Sequence, residues 1–467
     1  MNPSHFLGWL LLVSQVYALQ IDSKIAQSNP SLPMKSCTKS GCETLKTSIT
    51  MDADMRPLKD SSGAKDCIVN NMWDPTLCPD ADTCAKNCVL GDVDYKANGV
   101  TVDGDSLTME LFPPNNGTGS RLYLLEGDEY KIFKLLNKEI SVDVDLSNLP
   151  CGTNAAFYFS EMDPKGGDPT SKTSTAPAGL GYCDAQSPTS MKFIKGKANF
   201  KKSDDGKGNT VGGLGYPCQE LDIIEGNSIS QVFTPHPCLE KAEVCKAEDC
   251  KKDGGVCDSP GCDFNPYRMG DTEFYGPKKV VDTTKKMTIT TQFIAKGGEL
   301  VEIRRLWVQN GKVVKNSKVK IPGVKSFNSI SSEFCSAIRN FTSTPDTFEK
   351  NGGLKRMGEI FGEEGGAGKD VKSGKPGATL VFSIWIDSGK DHMLWLDGTL
   401  GSGPAGSRGT CEDSNSTPEF IRKNSPKAFV KFSNLREGEL GSTFEGACAK
   451  KTHSKETITN TNAHPTR

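Results

Sequence analysis

Four residues stand close enough in this sequence to share acid–base work: Glu220, Asp222, Glu225 and His236. The stretch runs Cys218-Gln219-Glu220-Leu221-Asp222-Ile223-Ile224-Glu225-Gly226-Asn227-Ser228, with Thr234-Pro235-His236-Pro237-Cys238 just beyond. On a β-strand, Glu220 and Asp222 point one way while Leu221 and Ile223 point the other. Glu225 breaks the alternation. One extra residue at Ile223-Ile224, a β-bulge, returns it to the polar face, and bulges are common beside active sites. A helix aligns Asp222 with Glu225 but throws Glu220 aside. Carboxylates crowded on one face repel, so at least one pKa rises and a protonated acid sits beside an ionised base. That is the equipment for glycoside hydrolysis; a separation of about 5–5.5 Å gives a nucleophile and a retaining enzyme, and about 6.5–9.5 Å gives inversion. On spacing alone, a solvated acidic strand or a Ca²⁺ site fits equally well. His236 alone reads as readily as a structural histidine.

The elements needed to position these groups are strands. Leu107, Met109 and Leu111 alternate with polar residues, as do Ile140, Val142, Val144 and Leu146. Phe429 and Lys431 face opposite ways from Val430 and Phe432. Such alternation predicts antiparallel sheets with two unlike faces. Trp307 to Val314 holds Asn310-Gly311, whose positive φ angles make a tight hairpin. Residues 378–386 (ATLVFSIWI) read as a buried strand, and 331–340 as the best of a few short helices. Residues 160–181 and 195–217 read as long loops, which tend to carry function. No internal repeat and no linker interrupts residues 30–444, so the expected architecture is one all-β sandwich decorated by loops.

Composition narrows the classes. The chain has 467 residues, a net charge of -2, 48 glycines, 26 prolines and 17 cysteines. Near-neutral charge argues against nucleic-acid binding. A mean hydropathy of -0.45 with no apolar run of spanning length excludes a polytopic membrane protein. Residues 6–13 (FLGWLLLV), followed by Val16-Tyr17-Ala18, read as a secretory signal over 1–18, although no Lys or Arg precedes the apolar core. A buried N-terminal helix is the alternative. Secretion makes disulfides the default state of the cysteines. Sequons at Asn116, Asn340 and Asn415 agree with it. Residues 445–467 read as a disordered polar tail.

The stretch from Glu220 to Ser230, followed by Thr234 to Cys238, closely resembles the signature of glycoside hydrolase family 7, the fungal and protist cellobiohydrolases and endoglucanases. Further matching segments follow in order: LSNLPCGTNAAFYFSEMD from Leu146, GLGYCDAQ from Gly179, GCDFNPYRMG from Gly261, FYGP from Phe274, VDTTKKMTITTQF from Val281, MLWLD from Met393 and VKFSNLREGELGSTF from Val430. The resemblance spans about residues 35–444 and implies a concanavalin-like jelly roll of two curved antiparallel sheets, with disulfide-stapled loops forming a cleft or tunnel. The expected catalytic domain is 19–444.

Carried over by resemblance, Glu220 is the nucleophile, Glu225 the general acid/base, Asp222 the residue that orients the nucleophile, and His236 a support. Trp385 and Trp395 match sugar-stacking positions, although Trp385 could be a core aromatic. Asn154, Tyr158, Tyr182, Asp184, Gln186, Lys192, Arg268 and Arg408 match sugar-contacting positions, any of which could instead tie down a loop. No metal or organic cofactor is expected. The expected partner is a β-1,4-glucan chain, met by a secreted monomer.

The departures concern the cleft. Asp52-Ala53-Asp54-Met55-Arg56-Pro57 stands where the family's cellobiohydrolases have Asp-Ala-Asn-Trp-Arg-Trp, so two aromatic platforms near the tunnel entrance are missing. The loop from Cys250 to Cys257 is short, that from Lys201 to Gly215 keeps near-tunnel length, and Gly226 replaces the usual Ala. The resemblance also implies bridges Cys37–Cys42, Cys67–Cys88, Cys78–Cys84, Cys151–Cys411, Cys238–Cys257, Cys245–Cys250 and Cys262–Cys335. Cys183 and Cys218 come from two different family bridges and are expected to pair with each other. Cys448 is left over. A zinc site at Cys245, Cys250, Cys257 and Cys262 is the rival reading. The functional expectation is a retaining cellulase, a cellobiohydrolase first, an open-cleft endoglucanase second, and an inactive glucan-binding protein third.

Overall fold

The computed structural model describes residues 28–444, apart from 168–173, 204–205, 207, 240–242, 247–248, 251–254, 363–375 and 404–405, together with the short strand Gln20–Ile21. The expected signal at 1–18, the tail at 445–467 and Cys448 lie outside the described residues, as do parts of the 201–215 and 250–257 loops.

Two antiparallel sheets form the body. The outer sheet runs Lys312–Lys315, Glu299–Gln309, Met287–Lys296, Lys138–Asp145, Phe429–Glu439, Ser106–Glu110 and Val100–Asp103 from edge to edge. The inner sheet runs Glu129–Tyr130, Ser120–Glu126, Gly377–Trp385, Asn154–Met162, Glu220–Gly226 and Gln231–His236. Alternation explains the packing: Ile140, Val142, Val144, Phe293, Val430 and Phe432 from the outer sheet meet Phe157, Phe159, Leu221, Phe233, Phe382 and Ile384 from the inner one in a single core. Phe157, Phe382 and Phe432 interlock edge-to-face or tilted, with ring centroids 5.3, 5.5 and 5.9 Å apart. Truncating one such ring to Ala typically costs about 3–5 kcal/mol.

The hairpin forms at Asn310-Gly311, with φ of 53° and 70°, and pairs Gln309 with Lys312. The helix is Ser332–Thr342, capped by the Ser331 side chain. Two expectations change. The polar face of Lys138–Asp145 is buried as well as its apolar face. There Glu139 accepts from the backbone N–H groups of Gly441, Ser442 and Thr443, so the end of the described chain covers it. The 195–217 segment is not a plain loop: Phe200–Lys202 and Asn209–Val211 pair, and Thr210 pairs on with Met72.

All eight inferred disulfides are present, including Cys183–Cys218. The zinc reading falls with them, because Cys245, Cys250, Cys257 and Cys262 each spend their sulfur in a disulfide. Among the described residues, no helix is long and apolar enough to cross a membrane.

Candidate active site

The bulge lies where the sequence places it. Against Asn154–Met162, Phe157 pairs with Ile224 and Tyr158 with Asp222, which leaves Ile223 without a partner. Against Gln231–His236, Asp222 pairs with Thr234 and Glu225 with Val232. The local cause is apolar: Leu221, Ile223 and Ile224 are all in the core, and two consecutive isoleucines can both face it only if the strand takes an extra residue. Glu220, Asp222 and Glu225 are thereby returned to one face, where they line a cleft of about 810 Å³ with His236.

Glu220 and Asp222 are only 8% and 3% exposed, so the solvated-strand reading fails. Their partners are N–H donors. Ala185 N–H donates to Glu220 Oε2 at 3.0 Å, and Asn154 Nδ2 donates to Glu225 Oε1 at 2.8 Å. His236 Nε2 lies 3.1 Å from Asp222 Oδ2, and its Nδ1 lies 2.8 Å from the Asp258 carbonyl. A carbonyl and a carboxylate both accept, so both ring nitrogens carry hydrogen and the imidazole is a cation. A cage of N–H donors with a cation in it is the wrong environment for Ca²⁺, which takes oxygen ligands.

Burial, the Asp222 charge and then Asp184 push Glu220 well above the usual carboxylate range. Burial and Asp222 raise Glu225 to about 8, against the opposing Asn154 hydrogen bond and His236 charge. Burial alone would lower His236, but the Asp222 hydrogen bond and charge outweigh it and raise it to about 10. The cluster therefore holds both a proton on a carboxyl group and an imidazolium at neutral pH.

The other expected residues divide by position. Tyr158, Tyr182, Asp184, Gln186, Trp385, Trp395 and Arg408 line the same cleft. Tyr158 OH lies 2.9 Å from Tyr182 OH, which donates to Asp184 Oδ2 at 2.8 Å. Trp385 and Trp395 stack on each other with centroids 6.2 Å apart, forming one aromatic wall. Asn154 is fully buried beneath Glu225. Gln186 Nε2 donates to the Ser259 carbonyl at 2.8 Å, so it also ties two loops together. Arg268 pairs with Asp263 and lines an adjoining cavity, which Arg408 shares. Lys192 is not brought to the cleft: its Nζ donates to the Asp54 carbonyl and its backbone N–H meets the Asp54 carboxylate at 3.1 Å, making it a loop tie.

Sequence reasoning missed Arg121. It lines the cleft, donates to Asp52 Oδ2 at 2.6 Å, and lies with Cζ 3.5 Å from the Tyr182 ring centroid. Alternation in Ser120–Glu126, which sets Arg121 and Tyr123 on the face opposite Leu122 and Leu124, was the available signal. Asp263, which holds both Arg268 and Arg408, was also missed. Met55 lines the cleft where the resemblance expects a tryptophan.

A two-sheet sandwich whose cleft pairs carboxyl groups beside an aromatic wall has the equipment of a glycoside hydrolase. The chain belongs to glycoside hydrolase family 7: the sequence model of glycosyl hydrolase family 7 matches residues 21–444. Among solved structures, it is similar to a family 7 cellobiohydrolase from Daphnia pulex, at 35% identity over 91% of this chain and 100% of that one, with a TM-score of 0.81. The endocellulase EGI of Humicola insolens is similar at 34% identity over 90% of this chain and 99% of that one, with a TM-score of 0.75. A cellobiohydrolase from Melanocarpus albomyces, complexed with cellotetraose, is similar at 32% identity over 91% and 100%, with a TM-score of 0.80.

Proposed function

We propose that this family 7 cellulase is a secreted, retaining enzyme that releases cellobiose from cellulose. The observation that carries the chemistry is the bulged strand, which sets a buried Glu220 and a proton-holding Glu225 on one face. In this reading, Glu220 Oε attacks the anomeric carbon while the C1–O bond breaks. Glu225 gives its proton to the departing sugar oxygen. Asn154 occupies Glu225 Oε1, which leaves Oε2 for that proton. The Ala185 N–H favours the ionised form of Glu220, and imidazolium His236 hydrogen-bonds Asp222 beside it. Water then attacks the glycosyl–Glu220 ester, with Glu225 as base. Trp385 and Trp395 offer flat apolar faces to sugar C–H groups.

Arg408 in the cleft and Arg268 in the cavity beside it, both held by Asp263, support exo action on a cellobiose-sized product. Met55 at the cleft and the missing aromatic platforms support endo action as the second reading. Product analysis decides between them. Cellobiose with slow viscosity loss of carboxymethylcellulose supports the exo reading; fast viscosity loss refutes it. Trapping with a 2-deoxy-2-fluoro cellobioside should label Glu220, and labelling elsewhere refutes the nucleophile assignment. Eight disulfides support secretion, and exposed Asn116 and Asn340 fit glycan acceptors better than Asn415, whose side chain accepts from Glu412 N–H at 3.1 Å.

A further inference from the structure

The core between the sheets contains one residue that core packing does not explain. Arg305 lies on Glu299–Gln309 in the outer sheet, between the core residues Ile303 and Trp307, and is 2% exposed. Its guanidinium carbon is 4.3 Å from the Phe233 ring centroid and 5.4 Å from that of Trp307. Its Nε donates to Thr291 Oγ1 at 3.2 Å, and Nη1 has no hydrogen-bond partner among the described residues. Burying a guanidinium this way is expensive, and an apolar side chain of similar volume would pack here at lower cost.

Its remaining contact crosses to the other sheet. Nη2 donates to the backbone carbonyl of Ile223. Ile223 is the bulge residue, skipped by the register on both neighbouring strands. A buried carbonyl without a ladder partner is costly unless something else donates to it. Arg305 is that donor. Without it, the strand has reason to slip into regular pairing, which would turn Glu225 toward the core.

We infer that Arg305 is a positioning residue for glycoside cleavage: by holding the Ile223 carbonyl it fixes the bulge, and so sets Glu225 relative to Glu220 and Asp222 across the cleft. Arg305 touches no sugar and exchanges no proton. Its buried position lowers it to about 9, so it remains a cation under working conditions.

This inference rests on the roles proposed for Glu220 and Glu225. The test compares two cellobiosides: phenyl, whose departure needs a proton from Glu225, and 2,4-dinitrophenyl, whose departure does not. Arg305→Met should lower kcat/KM by about 30-fold or more on the phenyl substrate and by less than about threefold on the dinitrophenyl one. The basic limb of the pH profile should move to lower pH, because Glu225 leaves the environment that raises it. Arg305→Lys, which keeps a donor but loses the planar fork, should lose only about threefold on the phenyl substrate and keep full dinitrophenyl activity. Equal losses on both substrates, or a lowered Tm with an unmoved pH limb, overturn the inference and leave Arg305 a packing residue. If Arg305→Met does not fold, Arg305→Lys decides alone: a phenyl-selective loss of about threefold supports the role, and wild-type selectivity refutes it. Glu220→Gln runs alongside. Loss of turnover of both substrates there separates a wrong nucleophile from a wrong positioning residue.

Discussion

Replacing Glu225 with Gln should make the protein more stable and almost inactive, and the gain should depend on pH. The side chain keeps its volume and still offers an oxygen to Asn154 Nδ2. What it loses is a titrating carboxyl that burial and Asp222 raise from 4.5 to about 8. A carboxyl raised in the folded state stabilises fully below its unfolded pKa, and this contribution is lost as pH rises through the folded value. The wild type should therefore weaken between about pH 4.5 and pH 8 on account of this group. At pH 7 the penalty has reached about 3 kcal/mol as an upper figure. Glu225→Gln removes the penalty at pH 7 and gains almost nothing at pH 4. For a domain of this size the gain corresponds to roughly 3–6 °C in Tm. Thermal scans of both proteins at pH 4 and pH 7 read it directly. Phenyl cellobioside turnover should fall by about 100-fold or more. A gain of equal size at both pH values, or unchanged turnover, would refute the argument that Glu225 is a held, functional acid.

Three other perturbations test other parts of the site. His236→Gln removes the cation that opposes the rise of Glu220 and Glu225, so the acidic limb of the pH profile should move to higher pH, with kcat reduced; an unmoved limb refutes the imidazolium assignment. Trp395→Ala halves the aromatic wall and should raise KM on cello-oligosaccharides several-fold while leaving Tm nearly unchanged; unchanged KM would mean that the wall only packs on itself. The double change Cys183→Ser with Cys218→Ser should cost about 2–4 kcal/mol in chemical denaturation. It should also lower kcat, because the bridge joins the loop carrying Asp184 and Ala185 to the residue two before Glu220; unchanged kcat would show that the bridge serves stability alone.

The strand that carries the carboxyl cluster was legible because its pattern fails at one point only. A regular alternation that breaks once, at two adjacent isoleucines, admits few explanations, and the core accepts both isoleucines at the bulge. His236 was legible only as a neighbour in sequence; its pairing with Asp222 depends on two strands aligning Glu220 opposite His236. Other features are non-local and left no trace. Glu139 sits at a position that alternation assigns to solvent, yet residues 441–443 close over it. The strands within 195–217 are two or three residues long, too short to show a period. Lys192 matches a sugar-contacting position but is claimed by Asp54, one of the residues by which this chain departs from its relatives' pattern. Arg305 was visible as an Arg in an inward-facing position between Ile303 and Trp307, but its target lies on the opposite sheet and could be found only in three dimensions.

The charges of the proposed site account for one another. With Glu225 holding a proton and His236 a cation bonded to Asp222, Glu220 must be ionised to act as the proposed nucleophile, against the burial and the Asp222 charge that raise it. Burial raises both glutamates, so an ionised Glu220 is a state the folded protein holds at a cost. The transition state of glycoside cleavage carries positive charge on the sugar ring. An ionised Glu220 set beside the ring would meet that charge without reorganisation, and electrostatic complementarity of this kind is usually the largest single contribution to the rate. In the proposed mechanism, the developing positive charge of the sugar offsets the cost of ionising Glu220. The strand bearing the three carboxyl groups is tied to that geometry by a disulfide two residues before Glu220 and by the Arg305 hydrogen bond to the Ile223 carbonyl, the two contacts that would resist its rearrangement when the cluster ionises.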